Sequence, residues 1–329
     1  MSDQRMTSAA LESPPNHWVL PCVGLVLATL AWAGNAVVGR GLRDAYDPLQ
    51  LTFFRWSVAT LGFYLASPRL IHAQWRRVGG NLRRLWIGGA CGMAGYHLLQ
   101  YYALARMPAS EVSVIIGTTP MTVTVLEVWR KRVWPAPVIV LGIIMGLAGV
   151  GLVCGGTLPE TGEATMPWTG IACAATAMLC WSFYSMRATG CEGLSMVTTL
   201  FVMSSLSTLM LLPGFAYDVA VNGLRVPGIR LGVQLLYLGV PASVLAYLLY
   251  DRGIERVGRL VGAQFNCLIP AFASALAAVF LGETLDGRQI AGLLAVVLGL
   301  NVVLLGKARD MRRATLERGV QAHGKRARL

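Results

Sequence analysis

Charged residues are scarce in this sequence. Only 13% of the 329 residues are Asp, Glu, Lys or Arg, whereas 55% are hydrophobic and the mean hydropathy is +0.58. A water-soluble domain of this size needs a hydrated surface that such a composition does not supply. The composition therefore predicts a polytopic membrane protein.

Several chemical signatures are also missing. The seven cysteines include no Cys-x-x-Cys pair, so neither a zinc site nor a disulfide framework is indicated. No Gly-x-x-x-x-Gly-Lys-Ser/Thr loop is present, and ATP-driven pumping would need a separate subunit. The four histidines (17, 72, 97, 323) are dispersed, which disfavours a membrane enzyme acting on lipid. We predict no catalytic residue, no metal and no cofactor.

Long uncharged apolar runs dominate what is there. About 20 residues of helix cross the roughly 30 Å hydrocarbon layer. On that criterion the sequence predicts ten spans, at 18–38, 48–67, 85–104, 109–129, 134–155, 168–187, 195–216, 229–250, 260–281 and 289–306.

The distribution of positive charge predicts the orientation. With both termini placed in the cytoplasm, 21 Lys and Arg residues fall in inner segments and 6 in outer segments, while Arg55 lies within a span. Cytoplasmic loops of membrane proteins carry such an excess. We therefore expect a multi-pass protein of a bacterial-type inner membrane, with both termini inside.

The two halves of the sequence resemble each other. An offset of 150 residues pairs Pro120 with Pro270, Gly142 with Gly292 and Gly149 with Gly299, and an offset of 149 pairs the tryptophans at 32 and 181. Each half holds five predicted spans, so the second half enters the membrane from the opposite side. Such inverted repeats are typical of transporters that work by alternating access.

The predicted organisation has five parts. We expect a cytoplasmic leader at 1–17, because it lacks a basic start and a cleavage site, then a five-helix repeat at 18–156, a periplasmic linker at 157–167, a second repeat at 168–306 and a basic cytoplasmic tail at 307–329. The tail directly follows a span. Contact with anionic lipid headgroups therefore explains it better than a nucleic-acid arm.

Ordered short motifs are similar to those of a known family. They are Asp47-Pro48 followed by Arg55, Pro120, the stretch from Asn266 to Pro270, and Leu281-Gly-Glu283-Thr-Leu. In this order, and with ten spans, the chain resembles the ten-helix EamA-type members of the drug/metabolite transporter superfamily. The resemblance implies export of small metabolites such as amino acids through a cavity between the halves. The first half lacks the Leu-Gly-Glu turn, and the seventh span lacks an arginine equivalent to Arg55.

Polar and aromatic residues near mid-span are the candidate substrate-binding residues. His97 shares a helix face with the residues three and four positions on, and Asn266 lies one turn before a proline. Equivalent aromatic-polar faces occur in the first and sixth spans. The eight predicted cavity residues are Trp32, Asn35, His97, Gln100, Tyr101, Trp181, Tyr184 and Asn266.

Arg55, Pro120 and Pro270 are predicted to act in gating or structure. Arg55 lies about 10 Å into the bilayer, where we expect it to pair with backbone carbonyls or an acidic group between helices, or else to bind a carboxylate or act in gating. Each proline frees a backbone carbonyl one turn earlier and kinks its helix. Glu111, Glu127 and Glu283 lie near span ends and are not expected to carry protons.

These observations favour a secondary transporter that exports amino acids or similar zwitterions. A multidrug exporter of lipophilic cations is the alternative, and a buried carboxylate would favour it, whereas the acidic side chains here fall near span ends. The expected partners are a small-molecule substrate and the lipid bilayer, without nucleic acid. The sequence leaves the oligomeric state open, and a monomer is compatible with it.

Overall fold

The computed structural model describes residues 19–132, 134–154, 168–187, 191–223, 228–257, 262, 265–266 and 268–326. The predicted leader (1–17) and linker (157–167) lie outside these ranges. Within them the regular secondary structure is entirely helical.

Thirteen α-helices are described in these ranges. They are α1 Val19–Gly41, α2 Pro48–Ala66, α3 Pro68–Ile87, α4 Tyr96–Leu104, α5 Ala109–Gly117, α6 Thr119–Lys131, α7 Pro137–Cys154, α8 Trp168–Arg187, α9 Met196–Asn222, α10 Ile229–Gly239, α11 Ala246–Val257, α12 Leu268–Leu281 and α13 Gly287–Arg326. Two π-helical segments, Gly88–Gly95 and Val240–Leu245, join α3 to α4 and α10 to α11.

The helices follow the predicted spans. The fourth span is made of α5 and α6, and the third and eighth spans each contain a π-helical segment. Five described segments are long and apolar enough to cross a bilayer: Val19–Gly41, Ala109–Arg130, Met196–Asn222, Ile229–Val257 and Gly287–Gly306. Pro137–Val153 and Leu268–Leu281 are shorter apolar helices.

Two segments between or beyond the predicted spans are also helical. The arginine-rich stretch that separates the second and third spans forms most of α3. The last helix, α13, continues through the predicted tail as far as Arg326. Both stretches are rich in Arg, which has high helix propensity.

The two π-helical segments occupy equivalent positions in the repeats. Residues 90–95 correspond to 240–245 at the offset of 150. Proline contributes to the second segment, since Pro241 has no N–H to donate. Ser243 Oγ donates to the carbonyl of Leu238, five residues earlier, at 2.8 Å. The third and eighth spans therefore share a local irregularity near mid-helix.

Glycines bring α7 and α13 into direct contact. A Cβ atom on Gly149 would lie 2.6 Å from the carbonyl oxygen of Gly292, and one on Gly299 would lie 2.6 Å from that of Gly142. The pairing of early with late residues shows that the two helices run antiparallel. Without side chains at these positions the backbones approach closely, as in glycine-mediated packing of membrane helices.

Candidate functional site

A cavity of about 460 Å³ lies between the repeats. The first half contributes helices α1, α2, α4, α5 and α6 to it. From the second half it is flanked by helices α8, α11 and α12. Its described polar and aromatic lining residues are Trp32, Asn35, Arg55, Tyr96, His97, Gln100, Ser113, Thr119, Trp181, Ser185, Tyr247 and Asn266.

Arg55 is held in this wall by neutral groups. Its Nη1 donates to Asn35 Oδ1 at 2.5 Å and to Tyr101 Oη at 3.0 Å. Its Nε donates to Ser243 Oγ at 3.0 Å, which reaches Arg55 because of the π-helical turn. The arginine is 1% exposed, and none of the ion pairs between described residues includes it. The guanidinium charge therefore faces the cavity without a described carboxylate beside it.

Asn35 is at the centre of this network. Its Oδ1 also accepts from Tyr101 Oη at 2.8 Å, and its Nδ2 donates to Gln100 Oε1 at 3.3 Å. The network joins α1, α2 and α4 of the first repeat to the eighth span of the second. It fixes the direction of the guanidinium, because each of these polar groups is buried.

Aromatic rings also line and flank the cavity. The ring of Trp32 lies 5.4 Å from Tyr247 and 5.0 Å from Tyr250, and that of Trp181 lies 4.9 Å from Tyr96. Such tilted and edge-to-face contacts are favourable aromatic geometries. The rings give the cavity a rigid apolar surface with π faces.

His97 and Asn266 have different hydrogen-bond environments. His97 Nδ1 lies 3.0 Å from the carbonyl of Met93 one turn earlier, and its ring packs against Trp56 and Tyr96. Asn266 Nδ2 donates to Tyr250 Oη at 3.0 Å, whereas its buried Oδ1 has no described partner. Asn266 therefore supplies a spare acceptor beside the cavity.

The family model of the EamA-like transporter family matches residues 20–155 and 168–305. The chain belongs to this family. The resemblance to ten-helix EamA-type members of the drug/metabolite transporter superfamily is thereby confirmed, and so is the predicted fold class, an all-α membrane protein with ten transmembrane helices in two inverted repeats.

Relatives of this EamA-like chain are named as transporters. It is 25% identical to an uncharacterized transporter, YdeK, of Bacillus subtilis over 88% of this chain and 96% of the relative. It is 25% identical to a probable terminal-alkyne amino-acid exporter of Streptantibioticus cattleyicolor over 87% and 95% of the two chains. An aromatic amino acid exporter, YddG, of Ancylobacter novellus is 28% identical over 32% of this chain and 36% of its own length.

One solved crystal structure shares the fold. It superimposes with a TM-score of 0.58 and 20% sequence identity, covering 88% of this chain and 98% of the other. At this identity the likeness shows the architecture alone.

In the EamA-like fold, six of the eight predicted cavity residues line the same cavity. Trp32, Asn35, His97, Gln100, Trp181 and Asn266 line the cavity. Tyr101 lies behind Arg55, and Tyr184 lies behind Trp181 at 5.1 Å, so neither is among the described lining residues.

The three residues predicted for gating or structure are also near the cavity. Arg55 and Pro120 line it. Pro270 packs against Gly117, where an added Cβ would lie 2.6 Å from the proline Cγ. The fourth span is broken at Thr118, so Pro120 lies in the first turn of α6, and Pro270 lies in the first turn of α12. The end of α5 and the start of α12 therefore meet beside the site.

The sequence analysis did not identify Tyr96 and Tyr247, which line the cavity, or Tyr250, which contacts Trp32. Tyr247 is equivalent to His97 at the 150-residue offset, and its neighbour Tyr250 is equivalent to Gln100. Applying the repeat to the first-half candidates would have identified both. The repeat does not identify Ser243 in this way. This serine lies in the π-helical segment Val240–Leu245, where it accepts a hydrogen bond from Arg55.

Metal-binding groups do not accompany this site. Among the residues that the structure describes, no group of three or more His, Cys, Asp or Glu side chains is arranged to hold a metal ion. The described cavity supplies hydrogen bonds, π faces and one cation, which is the chemistry of binding.

Proposed function

We propose that this protein exports amino acids, or similar small zwitterions, across a bacterial-type inner membrane. The substrate binds in the central cavity, and the two repeats expose the cavity alternately to either side. Two relatives whose names specify amino-acid export support the proposal. The family supports transport over the alternative of a lipid-modifying enzyme.

The observation that carries this proposal is the charge of Arg55, beside which the described residues place no carboxylate. A charged side chain at the centre of a membrane helix costs about 2.5–3.5 kcal/mol on insertion scales. Neutral partners orient the guanidinium but leave its charge in place. A carboxylate is the complementary group, since arginine binds it through charge-assisted hydrogen bonds.

The remaining walls suit the rest of an amino acid. The aromatic faces of Trp32 and Trp181 accept an apolar side chain and attract an ammonium group by cation–π interaction. Asn266 Oδ1 offers a hydrogen-bond acceptor for the same ammonium. A zwitterion thus finds partners for both of its charges.

The same geometry disfavours export of lipophilic cations. A carboxylate in the binding site would favour that alternative, but the described lining residues contain Arg55 as their charged side chain and no Asp or Glu. Glu111 is buried but is not among them. A cation without a carboxylate would experience net repulsion from the guanidinium in a site of low dielectric constant.

Uptake into proteoliposomes tests the proposal with matched solutes. Phenylalanine, phenethylamine and 3-phenylpropionate share one aromatic body and differ in charge. We expect transport to require the carboxylate, so that phenylalanine is moved and phenethylamine is not. If the wild-type protein moves no compound of an amino-acid and metabolite panel, the proposed function is wrong.

Asn35→Asp tests the role of Arg55 without removing the arginine. The new carboxylate keeps both acceptor contacts of Asn35 and neutralises the guanidinium, so a structural role of Arg55 would be preserved. Because hydrogen bonds to charged groups contribute about 1.5–3 kcal/mol, we expect carboxylate transport to fall roughly ten- to hundredfold. Asn222→Asp, which adds the same charge at an exposed helix end, is the control. Wild-type rates in Asn35→Asp would exclude Arg55 as the carboxylate site.

A further inference from the structure

Helix α3 is the first part of a continuous helical stretch that is longer than one membrane span. It continues through the π-helical segment into α4, so the chain is helical from Pro68 to Leu104. These are 37 consecutive residues, whereas about 20 are enough to cross the hydrocarbon layer. Much of α3 therefore lies outside the hydrocarbon layer.

One face of α3 packs against the protein. Ile71, Val78 and Leu85 are seven residues apart and are all buried, with Asn81 between them. A seven-residue spacing keeps side chains on one side of a helix. This stripe defines the inward face of α3.

Apolar residues, two of them tryptophans, flank the inward face on one side. Trp75, Leu82 and Trp86 lie next to the buried stripe, yet their side chains are 56%, 45% and 43% exposed. Tryptophan is enriched at the boundary between lipid chains and headgroups, because its ring is apolar and its N–H is polar. This flank is the part of α3 that fits the lipid.

Beyond the aromatic flank runs a row of three arginines, Arg69, Arg76 and Arg83. They are also seven residues apart, and all three are exposed. None takes part in an ion pair with a described carboxylate. The order around the helix, from protein to apolar aromatic to arginine, matches the order of layers at a bilayer surface.

We propose that α3 is an interfacial helix whose arginine row, Arg69, Arg76 and Arg83, binds the phosphate groups of anionic phospholipids. The planar guanidinium donates paired hydrogen bonds to phosphate oxygens. Trp75 and Trp86 insert beside the glycerol backbone and hold the row at headgroup depth. The site is separate from the cavity and does not depend on the transported substrate.

The opposite flank of α3 connects this lipid site to the second repeat. Arg77 Nη1 donates to the carbonyl of Gly193 at 3.0 Å, and the backbone N–H of Ser195 donates to Gln74 Oε1 at 2.9 Å. Asn81 forms reciprocal bonds with the backbone of Glu192, each at 3.1 Å. Lipid bound to α3 therefore steadies a contact between the repeats, and the folded protein is stabilised by it.

Thermal unfolding of the purified protein in detergent tests the proposal. We expect phosphatidylglycerol to raise the Tm of the wild-type protein, and phosphatidylcholine to have little effect. The triple variant Arg69→Gln/Arg76→Gln/Arg83→Gln should lose most of the shift. A control triple, Arg130→Gln/Arg252→Gln/Arg256→Gln, removes the same charge from exposed arginines elsewhere and should keep it.

Three results would overturn the proposal. They are an unchanged shift in the α3 triple variant, an equal shift with phosphatidylcholine, and an equal shift with free glycerol 3-phosphate, which would indicate a phosphate site without lipid. If the triple variant does not fold, Arg76→Gln alone is compared with Arg130→Gln by native mass spectrometry. Arg76→Gln should then retain fewer phosphatidylglycerol molecules, and equal retention would refute the lipid site.

Discussion

The side chain of Glu283, in the second repeat, forms hydrogen bonds with the start of a helix in the first repeat. Its carboxylate accepts hydrogen bonds from the backbone N–H groups of Ala109 and Ser110, at 2.8 and 3.2 Å, and from Ser110 Oγ at 2.8 Å. These N–H groups open helix α5 and have no partner within the helix. A side chain of the second repeat thus caps a helix of the first.

Replacing Glu283 with alanine should destabilise the protein by about 1 kcal/mol, the usual cost of losing an N-terminal cap. Unfolding by denaturant in micelles measures the change. Asp44→Ala removes an acidic side chain that is 87% exposed and should leave stability nearly unchanged. Equal stability of Glu283→Ala and wild type would show that water replaces the cap at no cost.

Single residues were predictable where their chemistry is unusual for a membrane span. His97, Gln100 and Asn266 were identified because polar groups at mid-span require a reason. The partners of Arg55 were not, since Asn35, Tyr101 and Ser243 lie on three different spans and their convergence depends on tertiary packing. Glu283 was placed at a rim from its position in a turn, and its role as a cap is visible only in the structure.

At the scale of elements, the contact between α7 and α13 depends on missing side chains. An added methyl group at Gly149 would lie 2.6 Å from a carbonyl oxygen of Gly292, which is well inside van der Waals contact. The helices would have to separate to accept it.

We expect Gly149→Ala to lower stability by about 1–3 kcal/mol, as other overpacked sites do. Gly151→Ala is the matched control, because the same helix presents open space at that position and alanine favours helix formation. Thermal unfolding of both variants in one detergent makes the comparison. If Gly149→Ala is as stable as Gly151→Ala, helices α7 and α13 do not pack closely enough at Gly149 to exclude a methyl group.

The sequence predicted elements better than the contacts between them. Apolar length placed the spans, and the repeat offset paired glycines of the fifth span with glycines of the tenth. It did not reveal that these two helices pack against each other, because the residues in contact are more than 140 positions apart. Helix α3 was missed since its arginines interrupt the apolar pattern, and a span criterion treats such a segment as a loop.

For the whole molecule, the inverted repeat makes a prediction about sidedness. Five spans per repeat place the junction between the repeats on the opposite side of the membrane from both ends. The excess of Lys and Arg in the segments on the same side as the ends predicts that the ends are cytoplasmic.

Reporter fusions test this arrangement directly. Alkaline phosphatase, which is active only outside the cytoplasm, should be active when fused after residue 160 and inactive when fused after residue 320. A green fluorescent protein fused at the same two positions should give the reverse pattern. The same activity at both positions would contradict an odd number of spans per repeat.

The glycine contact between α7 and α13 also has the symmetry of the inverted repeat. The 150-residue offset converts Gly142 into Gly292 and Gly149 into Gly299, so it exchanges the contact Gly142–Gly299 with the contact Gly149–Gly292. The interface is therefore isologous, like that of a two-fold symmetric dimer. A single five-helix unit carrying both glycines is self-complementary to a copy inserted upside down. The same surface would therefore join two separate five-helix units of opposite orientation as it joins the two halves of this chain.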